Sequence, residues 1–177
     1  MAESSDLVEI IAGCKLGKAA SFERLIDAYG RRCYGYFYRL TGNPEVSEDL
    51  LSELFVKLVT KIGSYRDGSF ESWLFQMATN IFRDYLRQLK RRRKTLETRQ
   101  DGLALQQAGA GKQGSKRIDE LQIQLGKLDP DTRELMVMRY YSQLMFREIA
   151  SIRGEPIGTV LSKVHRGVKK LRDLMES

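Results

Sequence analysis

The chain has 177 residues, which is the length of one ordinary domain or of two small ones. Lysine and arginine total 30 against 23 aspartates and glutamates, and the net charge of +7 favours a polyanionic partner. No stretch approaches the ~20 apolar residues of a membrane span, and the acidic N-terminus lacks the basic start of a secretory signal. We therefore expect a cytoplasmic protein that does not insert into a membrane.

The cysteines and the single histidine do not form a metal site in any spacing that zinc proteins use. Cys14 and Cys33 each fall inside a helical pattern, which predicts buried free thiols and leaves a redox role open. His165 has no nucleophile or metal partner in its pattern, so we interpret it as a surface contact residue. No cofactor is expected.

The first two helices are predicted from capping signals and apolar spacing. Asp6 and Glu9 form a capping box for a short helix that ends near residues 15–17. A second helix follows over residues 21–40, because apolar residues recur at steps of three and four. The segment Thr41–Pro44 then breaks the chain, with Pro44 at a first helical position.

A third helix is predicted over residues 44–62, with a wide apolar stripe on one side. Its other side opens with four carboxylates. These residues either complement the positive end of the helix dipole or form an acidic docking face, and the sequence alone leaves both interpretations open. The four carboxylates belong to Glu45, Glu48, Asp49 and Glu53.

The fourth helix, predicted over residues 69–94 after a loop at residues 63–68, has two unlike faces. One is apolar. The other carries amide and guanidinium donors and ends in the cationic run Arg91–Lys94, while Asp84 lies off this stripe. Such a face suits a phosphate backbone and base edges, although a solvated helix surface is the alternative. The stripe consists of Gln76, Asn80, Arg83, Arg87 and Lys90.

The second half of the chain begins after a segment without periodicity. Residues 95–116 are rich in Gly, Ala and Gln, which predicts a flexible linker between two small domains. Four further helices are predicted. They cover residues 117–125, 130–140, 145–152 and 157–175.

The last two helices and the turn at residues 153–156 have the pattern of a helix-turn-helix. Small Ala150 permits close crossing, and Val160 and Val164 face inward. The outward side carries groups that can reach bases and phosphates from a major groove; a helical hairpin with a polar outer face is the alternative. The outward residues are Thr159, Ser162, His165, Arg166 and Lys169, with Lys163 beside them.

Several of these segments together resemble bacterial RNA polymerase sigma factors of the extracytoplasmic-function (ECF) type, and the resemblance covers nearly the whole chain. In chain order the motifs lie at Glu48–Phe55, Phe70–Asn80, Asp84–Arg87, Leu128–Pro130, Arg147–Ala150 and Gly158–Gly167. The resemblance implies an all-α fold of two small helical domains joined by a flexible linker, the second with a helix-turn-helix. The expected domains are residues 1–94 (region 2), the linker 95–116, and residues 117–177 (region 4).

The resemblance also implies a role for each surface. The carboxylates Glu45, Glu48, Asp49 and Glu53 would bind the clamp helices of the largest subunit of core RNA polymerase, and the polymerase flap is a further expected contact. The fourth helix and the loop before it would bind the −10 element of promoter DNA and hold an unstacked base. Unstacking a base costs free energy, which stacking and hydrogen bonds in the pocket must offset. The residues expected at the −10 element are Tyr65, Arg66, Gln76, Asn80, Arg83, Arg87 and Lys90.

The helix after the turn would read the −35 element, through Thr159, Leu161, Ser162, Lys163, His165, Arg166 and Lys169. Here the chain departs from the family pattern. Met145 stands where a capping hydroxyl is common, and Glu155 and Pro156 occupy the turn where an apolar residue and often Ser are usual. Leu161 stands where a basic residue is common, and Lys163 stands where Arg is common. Leu161 can meet a thymine methyl, whereas Lys163 offers a point charge without a bidentate fork. The resemblance also implies an anti-sigma factor as a further partner.

The expected function is that of a transcription initiation factor without an active site, which directs core polymerase to promoters and assists −10 melting. The main alternative is a stand-alone helix-turn-helix regulator, which a palindromic footprint would favour. A nucleic-acid enzyme is disfavoured because no pair of carboxylates is placed for metal binding. A helical adaptor without a DNA role is disfavoured by the cationic surface of the fourth helix, where Arg83 and Arg87 are expected to be unopposed.

Overall fold

The structure, a computed structural model, describes residues 2–98 and 116–176. We call these two ranges the N-terminal half and the C-terminal half. The first consists of α1 (Ala2–Lys15), α2 (Ala19–Thr41), α3 (Pro44–Lys61), a 3₁₀ turn (Ile62–Ser64) and α4 (Phe70–Thr98). The second consists of α5 (Lys116–Gly126), α6 (Pro130–Met136), a π-helical turn (Val137–Tyr141), α7 (Phe146–Arg153) and α8 (Ile157–Met175). The predicted all-α fold with two helical halves is confirmed.

The N-terminal half is a bundle in which α2 packs against α1, α3 and α4. The predicted break between α2 and α3 is present: α2 ends at this point and a capping residue starts α3. Gly42 ends α2 with a left-handed backbone (φ 67°), a conformation that favours glycine. The side chain of Asn43 then accepts a hydrogen bond from the amide of Val46, and Pro44 occupies the first turn of α3.

Helix α4 is buried on more of its circumference than the sequence predicts. The predicted apolar face is present, with Leu74, Ala78 and Ile81 at most 1% exposed. Phe75 and Phe82, which do not belong to that stripe, are also buried; Phe75 packs edge-on against Tyr36 of α2 at a centroid distance of 5.3 Å. The apolar side of α4 is thus widened towards α2, and the polar stripe is confined to the remaining surface.

The C-terminal half forms the predicted helix-turn-helix. Gly154, with a left-handed backbone (φ 65°), ends α7, and α8 follows after Pro156. Helix α8 packs on α6 at Gly167, where an added Cβ would lie 2.8 Å from Thr132 Cγ2 and 3.0 Å from Met136 Sδ. A larger residue here would force these two side chains to shift, so glycine allows α8 to lie close to α6.

Several predicted boundaries are wrong. Helix α1 begins at Ala2, so Asp6 is not its cap but an exposed partner of Arg24. Helix α4 continues to Thr98, four residues beyond the predicted helix end at Lys94. The chain from Pro130 does not form one α-helix to Tyr140, since its last turn is π-helical. The predicted linker lies largely outside the described residues.

Candidate nucleic-acid and polymerase interfaces

The acidic face of α3 points into solvent. The four carboxylate residues are all exposed, while Leu50, Leu54 and Leu58 on the other side are buried. Glu53 pairs with Lys57 at 2.7 Å, one turn along the same helix. The face is therefore accessible to a cationic partner, and its members Glu45, Glu48, Asp49 and Glu53 remain predicted docking residues.

The donor stripe of α4 is exposed at four of its five positions: Gln76, Asn80, Arg87 and Lys90. It continues into the exposed run Arg91–Lys94. Arg87 contacts Asp84, one turn earlier, so the carboxylate predicted to lie off the stripe does reach it. Such an exposed pair is weak and exchanges readily with a phosphate partner.

Arg83, the fifth member of the stripe, is not unopposed as the sequence suggested. Its Nη2 donates to Glu134 Oε2 at 3.1 Å, and Glu134 lies on α6 in the other half of the chain. Burial raises the pKa of Glu134, although the guanidinium groups of Arg83 and Arg153 act in the opposite direction. The contact joins residues 51 positions apart, which helical spacing on α4 cannot reveal.

The loop before α4 is anchored by Tyr65. Its hydroxyl donates to the carbonyl of Gly68 at 2.7 Å, and its ring lies 5.4 Å from that of Phe70 and 5.3 Å from that of Trp73. Lys15 Nζ lies 5.5 Å from the same ring centroid. Tyr65 is half-buried in this cluster, whereas Arg66 is exposed and donates to the carbonyl of Gly63. Both remain predictions for base binding, with Arg66 the more accessible of the two.

The outward side of α8 is exposed as the helix-turn-helix pattern predicts. Val160 and Val164 are buried on its inner side, at 0% and 3% exposure. Ser162 donates to the carbonyl of Gly158, and Arg166 Nε donates to the carbonyl of Ser162, so both side chains lie along their own helix. The exposed residues of the predicted set are Thr159, Leu161, Ser162, His165, Arg166 and Lys169.

Lys163 differs from the others because two carboxylates bind it. Its Nζ donates to Glu155 Oε2 at 2.8 Å and to Asp131 Oδ2 at 3.2 Å. These contacts raise the pKa of Lys163, the Glu155 hydrogen bond most strongly. Asp131 thus ties Lys163 to α6, and Glu155 ties it to the turn before α8. A phosphate would have to compete with both carboxylates for this lysine.

A cluster of charged side chains centred on Arg153 lies next to the turn between α7 and α8, and the sequence did not predict it. Arg153 has a side chain only 4% exposed and contacts Asp131, Glu134 and Glu155. Burial alone would lower the pKa of Arg153, but hydrogen bonds to Asp131 and Glu155 raise it. The spacing of charged residues on separate helices does not show which of them come into contact when the helices pack. No sequence signal therefore pointed to this cluster.

The two cysteines are buried and free of disulfides, as predicted. Burial raises the pKa of Cys33 to about 12 and also raises the pKa of Cys14. Thiols of this kind react slowly because the thiolate is the nucleophile.

Within the part of the chain that the structure describes, no group of three or more His, Cys, Asp and Glu side chains could hold a metal ion. None of the described helices has the length and apolar character needed to cross a bilayer.

Comparison with known proteins assigns the chain to a family. The family model for Sigma-70 region 2 matches residues 25–92, and that for Sigma-70 region 4 matches residues 118–171. The RNA polymerase sigma factor CarQ of Myxococcus xanthus is 31% identical over 160 residues, covering 90% of this chain and 91% of CarQ. The chain belongs to the ECF sigma factors. It is therefore a transcription initiation factor that directs RNA polymerase to promoters.

Two further comparisons agree with this assignment. The ECF RNA polymerase sigma factor SigE of Mycolicibacterium smegmatis is 32% identical over 158 residues. This match covers 88% of our sigma factor and 62% of SigE. The sigma factor RpoE of Bartonella quintana, solved in complex with the anti-sigma factor NepR, has the same fold, with a TM-score of 0.74 and 23% identity. That similarity covers 88% of this chain and 96% of RpoE.

Proposed function

We propose that this sigma factor holds core polymerase and promoter DNA through three separate helix faces. The acidic face of α3 docks on the clamp helices, the donor stripe of α4 with the loop before it binds the −10 element, and the outward side of α8 binds the −35 element. The observation that carries the proposal is the exposure of one acidic face and two cationic faces on three different helices. The recognition units are residues 1–94 and 117–177, with 95–116 as the linker.

The flap of the polymerase would use an apolar groove of the C-terminal half. This groove has a volume of about 590 Å³ and is lined by α5, the end of α6, the π-helical turn and α8, with Arg39 of α2 also in its lining. Tyr140 at its edge is 59% exposed, and Leu125 and Val137 form part of its buried floor. An apolar groove of this kind suits an amphipathic helix from the partner.

This function requires no chemistry from the sigma factor. The polymerase performs catalysis, so the chain acts without an active site or cofactor, and it acts in the cytoplasm where the polymerase works. An anti-sigma factor is a further proposed partner, because RpoE, which shares the fold, was solved with one. Such a partner would control access to the same helix faces.

Lys169→Ala tests the proposed −35 contact. Losing one phosphate contact is expected to lower the affinity of the holoenzyme for duplex promoter DNA by roughly fivefold at 0.15 M salt, and to reduce the salt slope by about one. Footprinting of the −35 region across a salt series measures both quantities. Lys127→Ala, which removes an exposed charge from the same half of the chain, is the matched control. Equal effects of the two substitutions would refute a specific role for α8.

A further inference from the structure

Four charged residues of the C-terminal half form a closed ring of ion pairs within the helix-turn-helix and its support. Arg153 is the last residue of α7, and Glu155 lies in the turn that follows. Asp131 lies in the first turn of α6, and Lys163 lies on α8. We call these four residues the ion ring, because each of the two carboxylates contacts both of the cations.

The carboxylates of the ion ring use one oxygen for each cation. Glu155 Oε1 accepts a hydrogen bond from Arg153 Nη2 at 2.7 Å, and Glu155 Oε2 accepts one from Lys163 Nζ at 2.8 Å. Asp131 likewise contacts Arg153 through Oδ1 and Lys163 through Oδ2, the second contact at 3.2 Å. Since two cations meet two carboxylates, the ion ring carries no net charge.

Lys163 is turned towards the protein by these contacts. Its side chain is 28% exposed, against 54% for Lys170 two turns further along α8. The hydrogen bond from Lys163 lowers the pKa of Glu155, so this carboxylate stays ionised at neutral pH. Charge-assisted hydrogen bonds at a partly buried site are stronger than those of a fully exposed ion pair.

The ion ring makes Lys163 a poor partner for a DNA phosphate. An ammonium group has three donors, and the two carboxylates use two of them. A phosphate at the third donor would lie beside Asp131 and Glu155, whose negative charges repel it. A neutral ring also replaces no counterions on the DNA, and counterion release is the source of the salt dependence of binding.

The ion ring instead fixes the N-terminal part of α8. Glycine at Gly167 allows α8 to lie close to α6 at one point along the helix. Lys163 lies one turn nearer the N-terminus and joins the same two helices through Asp131. The apolar contacts on the inner side of α8 are non-directional, whereas charge-assisted hydrogen bonds specify a geometry. The second attachment therefore sets the direction in which α8 presents Thr159 and Ser162.

We propose that Lys163 is a positioning residue of the sigma factor, which orients α8 for base reading at the −35 element through the ion ring and makes no phosphate contact. This role rests on the proposed binding of α8 to the −35 element, and it removes Lys163 from the residues that touch DNA there. Base contacts carry sequence discrimination, while phosphate contacts act on every sequence alike. The loss of a positioning residue and the loss of a phosphate contact therefore have different effects on binding.

Lys163→Met tests this role, because it removes the ammonium group and keeps an unbranched stem. Arg153 retains its three carboxylate partners, so the buried part of the cluster persists. The holoenzyme is titrated, across a salt series, with a promoter fragment located from its start site and with a copy whose −35 element is scrambled. We expect the ratio of the two affinities to fall by roughly tenfold, since a misdirected helix loses base contacts. The salt slope should stay unchanged.

Two further variants separate positioning from simple packing. Lys163→Arg keeps a cation with donors for both carboxylates and should restore most of the affinity ratio. Glu155→Gln breaks the ion ring from its other side and should lower the ratio as Lys163→Met does. Because both residues act through one ring, the double variant should lose no more than the single variants. Losses that multiply would mean that Lys163 acts independently of the ring and would overturn the proposal.

The salt slope distinguishes the remaining outcomes. A fall of about one for Lys163→Met, the result expected for Lys169→Ala, would make Lys163 a phosphate contact and overturn the proposal. An unchanged affinity ratio for Lys163→Met would overturn it as well. Lys127→Met, at an exposed position outside the ring, is the matched control and should change neither quantity. If the proposed −35 role of α8 itself fails, the wild-type holoenzyme will already bind both fragments alike.

Discussion

Replacing Glu48 and Asp49 by lysine is expected to weaken binding of the sigma factor to core RNA polymerase by roughly a hundredfold. Both carboxylates are exposed on α3 and project away from the buried core of the N-terminal half. If this face docks on a cationic surface, the substitution turns two attractive contacts into like-charge contacts, which cost several kcal/mol at a specific interface. Fluorescence anisotropy of labelled sigma factor titrated with core polymerase measures the affinity.

The matched control reverses two other carboxylates of the same half. Glu23 and Asp27 are also exposed, but they lie on α2. Glu23→Lys with Asp27→Lys produces the same net charge, so any difference between the double variants reflects position and not total charge. Unchanged polymerase affinity for the α3 variant, or equal loss for both variants, would remove the docking role of α3.

The double substitution Arg87→Ala with Lys90→Ala is expected to lower occupancy of the opened −10 region by up to about tenfold. Both side chains are exposed on the donor stripe of α4. Two phosphate contacts to a single strand contribute roughly tenfold in affinity at 0.15 M salt, and their loss should reduce the salt slope by about 1.4. Permanganate reactivity of −10 thymines in the holoenzyme complex reports the opening directly.

Affinity for core polymerase should stay unchanged in this variant, because α3 is not altered. The control is Lys18→Ala with Arg31→Ala. It removes the same amount of charge from two exposed positions that precede α3 in the sequence. This control should retain −10 opening. The −10 assignment of α4 fails if the α4 variant loses polymerase binding and opening in equal measure, or if the control loses as much opening as the variant does.

The helices themselves were predictable because local information specifies them. Asn43 and Asp129 cap the helices after the breaks, as their side chains accept from the amides of Val46 and Thr132. Apolar residues at steps of three and four indicated the buried sides of α2, α3 and α8. The candidate faces were predictable for the same reason, since exposure follows from lying opposite the apolar stripe.

Contacts between distant segments were not predictable. The pairing of Arg83 with Glu134 depends on how the halves meet, and nothing in the spacing of α4 encodes it. Phe75 and Phe82 were missed because a helix that packs on two sides has no single apolar stripe. The sequence also gives no reason for Gly35. An added Cβ at Gly35 would collide with the side chain of Tyr141, which lies more than a hundred residues further along the chain.

Transcription by purified core polymerase, with and without this sigma factor, tests the central claim most directly. With sheared genomic DNA of the encoding organism as template, sequencing of transcript 5′ ends locates every start site. We predict discrete starts that depend on the sigma factor and share two upstream motifs at a fixed separation, one for each helical half. Start sites identical to those of core polymerase alone would contradict the account.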